Sequence, residues 1–130
     1  MMKKRSSNNQ TFYKELFTEI NQEGGFSEVL LTDDSGLPIL SSSDESEDTE
    51  ITAAIVSKIQ QSVLLTKDHL QMGDLEEISL YDNNGKRLII RPFKAGSSSM
   101  FLAILMPEKS MTYKRLLKKT LREIARNWEI

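Results

Sequence analysis

Apolar positions recur along the chain with two periods, and each switch between them marks an element. Phe12, Leu16 and Ile20, with Phe17 beside them, have helical spacing, and Gly24-Gly25 ends the pattern as glycine does after a helix. This predicts a first helix over about 11–23. Residues 1–10 are polar and basic with nothing to bury, so a disordered tail is expected there. Phe26 to Asp33 (FSEVLLTD) reads as a strand, Asp34-Ser35-Gly36 as a turn, and Leu37 to Ser41 (LPILS) as the returning strand. The proline falls at the strand start, where no ladder donor is needed.

The helical period returns after an acidic stretch, residues 41–50. Ile51, Ile55, Ile59 and Val63 recur every four residues, and Ala53, Val56 and Leu64 widen the apolar zone. This predicts a second helix over about 48–70, capped by Ser46, Asp48 or Thr49, with acids at the positive end of its dipole. So wide an apolar surface is expected to touch more than the helix's own sheet. Beyond Gly73, Asp74 to Tyr81 alternates, with Ile78 and Leu80 sharing one face. Asp82-Asn83-Asn84-Gly85 is a hairpin signal, because Asn and Gly tolerate the left-handed region. Lys86 to Phe93 returns, Ala95 to Ser99 is expected to turn flexibly, and Ser99 to Met106 is apolar on both faces, as a central strand covered twice would be. A last helix over about 112–128 carries the stripe Tyr113, Leu117, Leu121, Ile124 and Trp128. Lys114, Lys118, Arg122 and Arg126 form a second row on another side.

Composition narrows the chemistry. The 130 residues include no cysteine and one histidine, which excludes disulfides, thiolate metal sites and paired-histidine mechanisms. The longest apolar run, Met100 to Met106, is too short to span a bilayer, so no stable membrane insertion is expected. No apolar stretch follows the basic N-terminus, so a cytoplasmic protein is expected. The net charge of −2 argues against a dedicated nucleic-acid binder. It also conceals an asymmetry: residues 109–130 carry seven basic residues against two acids, a net of +5.

The order helix, two strands, helix, three strands, helix resembles the roadblock family, the dynein light-chain type domain. The resemblance rests on Leu30-Leu31-Thr32-Asp33-Asp34-Ser35-Gly36-Leu37-Pro38-Ile39, on Leu88-Ile89-Ile90-Arg91-Pro92-Phe93 with the apolar strand Phe101 to Met106, and on the leucine-rich basic final helix. It covers about 11–128, and the acidic loop 42–50 departs from it by its length and charge. The resemblance implies an α+β fold in three α/β/α layers. A five-stranded antiparallel sheet in the order 2-1-5-4-3 has the middle helix on one face and the terminal helices on the other. Residues 11–130 would form this single domain. It further implies a homodimer paired through the middle helix and third strand, serving as a non-enzymatic adaptor or regulator of a small Ras-like GTPase, or of a motility or signalling scaffold.

These expectations name residues. Ile55, Ile59, Val63, Ile78 and Leu80 are expected in the dimer interface. Lys58, Gln61, Ser62 and Lys67 are expected to face a partner. Lys114, Lys118, Arg122 and Arg126 are candidates for contact with an anionic membrane or an acidic partner, against the plainer reading of a solvated face. No cofactor or metal is implied. The acids at 44, 45, 47, 48 and 50 lack the spacing and central glycine of an EF-hand loop. His69 reads better as a screen for the last helical carbonyls than as a general base. Arg87 and Arg91 are poorly placed for arginine fingers, and no Gly-rich loop followed by Lys-Ser/Thr provides a nucleotide site. The competing reading is a sensing domain holding a small molecule between helix and sheet, which requires a cavity of ~300 Å³ or more.

Overall fold

A computed structural model describes residues 7–42, 47–108 and 112–128, without the side chains of residues 7–10, 47 and 48. Its elements, in chain order, are α1 (Ser7–Gly24), β1 (Glu28–Asp33), β2 (Pro38–Ser41), α2 (Glu47–Leu70), β3 (Ile78–Tyr81), β4 (Arg87–Ala95), β5 (Ser98–Met106) and α3 (Lys114–Asn127). The strands form one antiparallel sheet in the order β2-β1-β5-β4-β3, as expected. β5 is central, and its alternation supplies both layers. Met100, Leu102, Ile104 and Met106 enter the core under α1 and α3, while Phe101 and Ala103 enter the core under α2.

The larger core is built from Tyr13, Leu16, Phe17 and Ile20 of α1, Leu116, Leu117 and Ile124 of α3, and the sheet residues between them. α1 and α3 run antiparallel: Tyr13 meets Trp128 at one end, with ring centroids 5.8 Å apart, and Glu23 meets Arg115 at the other, 3.7 Å apart. The smaller core has Ala53 and Val56 of α2 on Leu30, Ile90, Phe101 and Ala103. Small side chains at the contact let the helix lie close to the sheet. α1 is also tied to the β2 edge by polar groups. Ser42 Oγ accepts from Val29 N at 2.9 Å and donates to Asn21 Oδ1 at 3.2 Å, while Ser41 Oγ donates to the buried Glu28 Oε2 at 3.1 Å.

The β1–β2 and β3–β4 hairpins close with the same device. Asp33 Oδ1 accepts from the backbone N–H of Ser35 and Leu37 at 2.9 and 3.0 Å; Asp82 Oδ1 accepts from Asn84 and Lys86 at 2.9 and 2.7 Å. A glycine three residues after each Asp takes φ of +91° or +92°. At Gly36 there is a second constraint. A Cβ there would land on Ser57 of α2, so this glycine also admits the close approach of the β1–β2 turn to the helix.

Four features differ from the sequence reading. α1 starts at Ser7, so residues 7–10 belong to the helix, while 1–6 lie outside the described residues. β3 is limited to Ile78–Tyr81; residues 74–77 lie outside the ladder, with Asp74 paired to Lys67 and Glu77 to Arg91 and Tyr113. The β4–β5 turn is tight rather than flexible, since Ala95 pairs with Ser98 and only Gly96 and Ser97 turn. Along α3, Leu116 and Thr120 are buried and Leu121 is half-buried, so the apolar stripe is rotated from the one drawn through Leu121. The capping role expected of Ser46 lies outside the described residues; Thr49, another candidate cap, is buried inside α2.

Candidate functional site

α2 buries one stripe and leaves its apolar flank open. Thr49, Ala53 and Val56 are buried; Ile51 and Ile55 remain 53% and 47% exposed. The direction of that flank follows from helix geometry. Ser57 Oγ donates to the Ser35 carbonyl at 3.3 Å, so the Ser57 side faces the β1–β2 turn. Ile55 sits about 160° around the helix from Ser57 and therefore faces the opposite side, toward β4 and β3. There Ile59, Ile78 and Leu88 are half-buried against the smaller core, and Leu80 is 46% exposed. Ile51, Ile55, Ile59, Ile78, Leu80 and Leu88 thus form one apolar surface across α2 and the sheet edge.

β3 ends the sheet, and its outer backbone edge has no strand neighbour among the described residues. It is only four residues long. A bare strand edge beside exposed aliphatic side chains is the kind of surface on which chains associate. Four of the five residues expected in a dimer interface belong to this surface; Val63 is half-buried one turn after Ile59. Leu65 and Leu70 on α2, each 65% exposed, and Met72 after it, 51% exposed, enlarge the apolar exposure. They were missed because they fall off the four-residue repeat that marked the helix.

The residues expected to face a partner separate into two groups. Lys58, Gln61 and Ser62 are exposed on α2. Lys67 is half-buried and held by Asp74, with Nζ 3.0 Å from Oδ1. The ammonium keeps the Asp74 carboxyl below the usual carboxylate range. Lys67 and Asp74 also stand at a cleft of about 530 Å³ between the C-terminal half of α2 and the sheet. Leu64, Leu75, Ile78, Phe93 and Phe101 form much of its wall, and Lys94 and Asp34 add charge. His69 Nδ1 lies 3.1 Å from the Leu65 carbonyl, one turn back along α2.

On the other sheet face, β3, β4 and the start of α3 share a polar cluster. Tyr113 OH donates to Glu77 Oε2 at 2.6 Å, and Arg91 Nη1 lies 3.6 Å from Glu77 Oε1. The Arg87 guanidinium sits 4.3 Å from the Tyr81 ring centroid and 5.3 Å from that of Tyr113, and donates to the Tyr81 hydroxyl. Both arginines contact neighbouring side chains. Burial pushes the Tyr113 phenol above its ordinary range, and the hydrogen bond to the Glu77 carboxylate adds to this. Lys114, Lys118, Arg122 and Arg126 are exposed on α3. Among the described residues there is no cluster of His, Cys, Asp or Glu suited to a metal, and no helix long and apolar enough to cross a membrane.

The architecture has structural counterparts. MglB of Myxococcus xanthus superposes with a TM-score of 0.73 at 14% identity, covering 89% of this chain and 94% of that one. A Roadblock/LC7 domain from Streptomyces avermitilis gives 0.71 at 16% identity, covering 85% and 92%. The gliding protein MglB of Thermus thermophilus gives 0.67 at 16% identity, covering 88% and 86%. At these identities the likeness shows the fold. No curated protein sequence is similar at a significant level. The family model of the Roadblock/LC7 domain matches residues 12–104, from within α1 to within β5, including all three hairpin turns. The chain belongs to the Roadblock/LC7 family.

Proposed function

We propose that this protein is a non-enzymatic homodimer that binds and regulates a small Ras-like GTPase. The observation that carries the reading is the apolar surface formed by Ile51, Ile55, Ile59, Ile78, Leu80 and Leu88 beside the open β3 edge. Antiparallel pairing of two β3 edges makes a ten-stranded sheet and brings the two α2 helices together on one face. Aliphatic side chains that water touches in one copy are then covered by the other. The paired helices present Lys58, Gln61 and Ser62 to the partner. The family membership and the likeness to MglB support a regulator of this kind. Affinity capture from the native cell, with GDP and with a GTP analogue, tests the reading. Recovery of a GTPase in a nucleotide-dependent manner is expected; recovery of none in either state overturns it.

The cleft under the C-terminal half of α2 favours a second reading, a small-molecule sensor. Its volume exceeds the ~300 Å³ that a bound metabolite requires. Leu64→Trp, which narrows the cleft from the helix side, separates the two. The adaptor reading expects GTPase capture to be unchanged; a sensor loses its ligand response.

A further inference from the structure

Six basic side chains lie between Lys114 and Asn127: Lys114, Arg115, Lys118, Lys119, Arg122 and Arg126. Buried Leu117, Thr120 and Ile124 fix the inward direction of α3. At about 100° per residue, the six cations occupy the opposite side. All but Lys119 are exposed. Arg115 reaches Glu23 at 3.7 Å and Arg126 reaches Glu123 at 3.8 Å. No carboxylate of the described residues lies within 4 Å of Lys114, Lys118, Lys119 or Arg122. Ala125 is the single exposed apolar residue of the helix. This surface therefore offers dense charge without an aromatic or large aliphatic anchor.

That combination selects among anionic partners. A protein interface draws its affinity from buried aromatic, aliphatic or arginine anchors seated in pockets, and single-stranded nucleic acid stacks its bases on exposed aromatic rings. An anionic bilayer asks for neither. It attracts unneutralised cations in proportion to their number and needs no shape. We infer that the outward face of α3 docks this protein peripherally on anionic phospholipid headgroups, with Lys114, Lys118 and Arg122 as the principal contacts. α1 sets a limit on the attraction. Its Glu15, Glu19 and Glu23 against Lys14 leave that neighbouring helix negative, so binding needs a substantial anionic lipid fraction and is salt-sensitive.

The fold also fixes where these helices stand when two copies pair, a step that rests on the proposed function. α3 packs on the opposite sheet face from α2, against the β4 side. The two-fold axis of antiparallel β3 edges is perpendicular to the sheet. Pairing therefore keeps both α3 helices on the same side, flanking the axis, and α2 on the other. One face of the dimer takes up the GTPase and the opposite face lies on the membrane, with twice the cations of one copy.

Vesicle co-sedimentation of the full chain tests this, with phosphatidylcholine alone, with phosphatidylcholine containing phosphatidylserine, and at low and high salt. The expected result is binding to the phosphatidylserine vesicles at least ~10-fold tighter than to neutral ones, lost at high salt. K118E/R122E is expected to lose at least ~10-fold with an unchanged thermal melt. Ile55→Asp separates the two readings: a monomeric variant that still binds through Lys118 and Arg122, but more weakly, leaves the lipid inference standing. Equal sedimentation with neutral and anionic vesicles overturns the inference. So does a folded K118E/R122E that binds as well as the wild type, or tighter binding to duplex DNA than to phosphatidylserine vesicles.

Discussion

Ile55→Asp should convert the proposed dimer to a folded monomer. Ile55 is 47% exposed in the single chain, so about half of its surface is available for burial against a second copy. Full burial of an isoleucine contributes ~1.5–3 kcal/mol, so the exposed half is worth ~1 kcal/mol. The aspartate adds the penalty of a desolvated charge, ~1–3 kcal/mol even where partly relieved. A two-fold interface contains the substitution twice. The total is at least ~4 kcal/mol, or about a thousandfold in the dissociation constant. Within one copy the cost is smaller, because the side chain is already half in water, so the melt should stay cooperative. Sedimentation equilibrium across the micromolar range reads the outcome. The wild type should run as the dimer and Ile55→Asp as a 14.8 kDa species. A wild type that is monomeric throughout, or a variant that dimerises equally well, refutes the assignment of this surface. Leu80→Asp, 46% exposed on β3, repeats the test from the other side of the patch.

Leu117→Ala, at a site 1% exposed in the larger core, should cost ~2–5 kcal/mol; for a domain of this size a loss of ~3 kcal/mol lowers the melting temperature by about 10 °C, and a shift under about 3 °C would mean the side chain is not packed as described. Gly36→Ala should destabilise by ~1–3 kcal/mol, since it forces φ of +91° and drives a methyl onto Ser57; a denaturant midpoint equal to the wild type would contradict that close approach. Tyr113 holds its proton to higher pH when folded than when unfolded. Its contribution is therefore fully present below the ordinary tyrosine range, and stability falls as pH rises from there through the raised value. A tyrosinate absorbance titration should lose a late phenol in Tyr113→Phe, and Glu77→Gln should bring that phenol earlier. Equilibrium dialysis with labelled GTP should detect no binding, and stoichiometric uptake would overturn the reading of the glycines as turn and helix-stop residues.

Much of the architecture was legible because local chemistry and global fold agree here. The two Asp-x-x-Gly turns specify their hairpins through a carboxylate accepting two backbone N–H groups and a glycine at positive φ, all within five residues of chain. The two-sided apolarity of Met100 to Met106 identified the central strand, since only a strand covered on both faces can bury every side chain. The excess width of the apolar zone on α2 pointed to a surface needing a second cover. What the tertiary structure decided was direction and engagement. That Ile55 faces β3 follows from Ser57 seating on the β1–β2 turn, a contact made across 22 residues. That Lys67 is held by Asp74, and that β3 loses residues 74–77, depends on where the chain crosses from α2 to the sheet edge. The cluster of Arg87, Tyr81, Tyr113, Glu77 and Arg91 joins three elements, so no spacing in the sequence announced it. Periodicity specifies which residues share a face of one element; only packing against other elements specifies what that face meets.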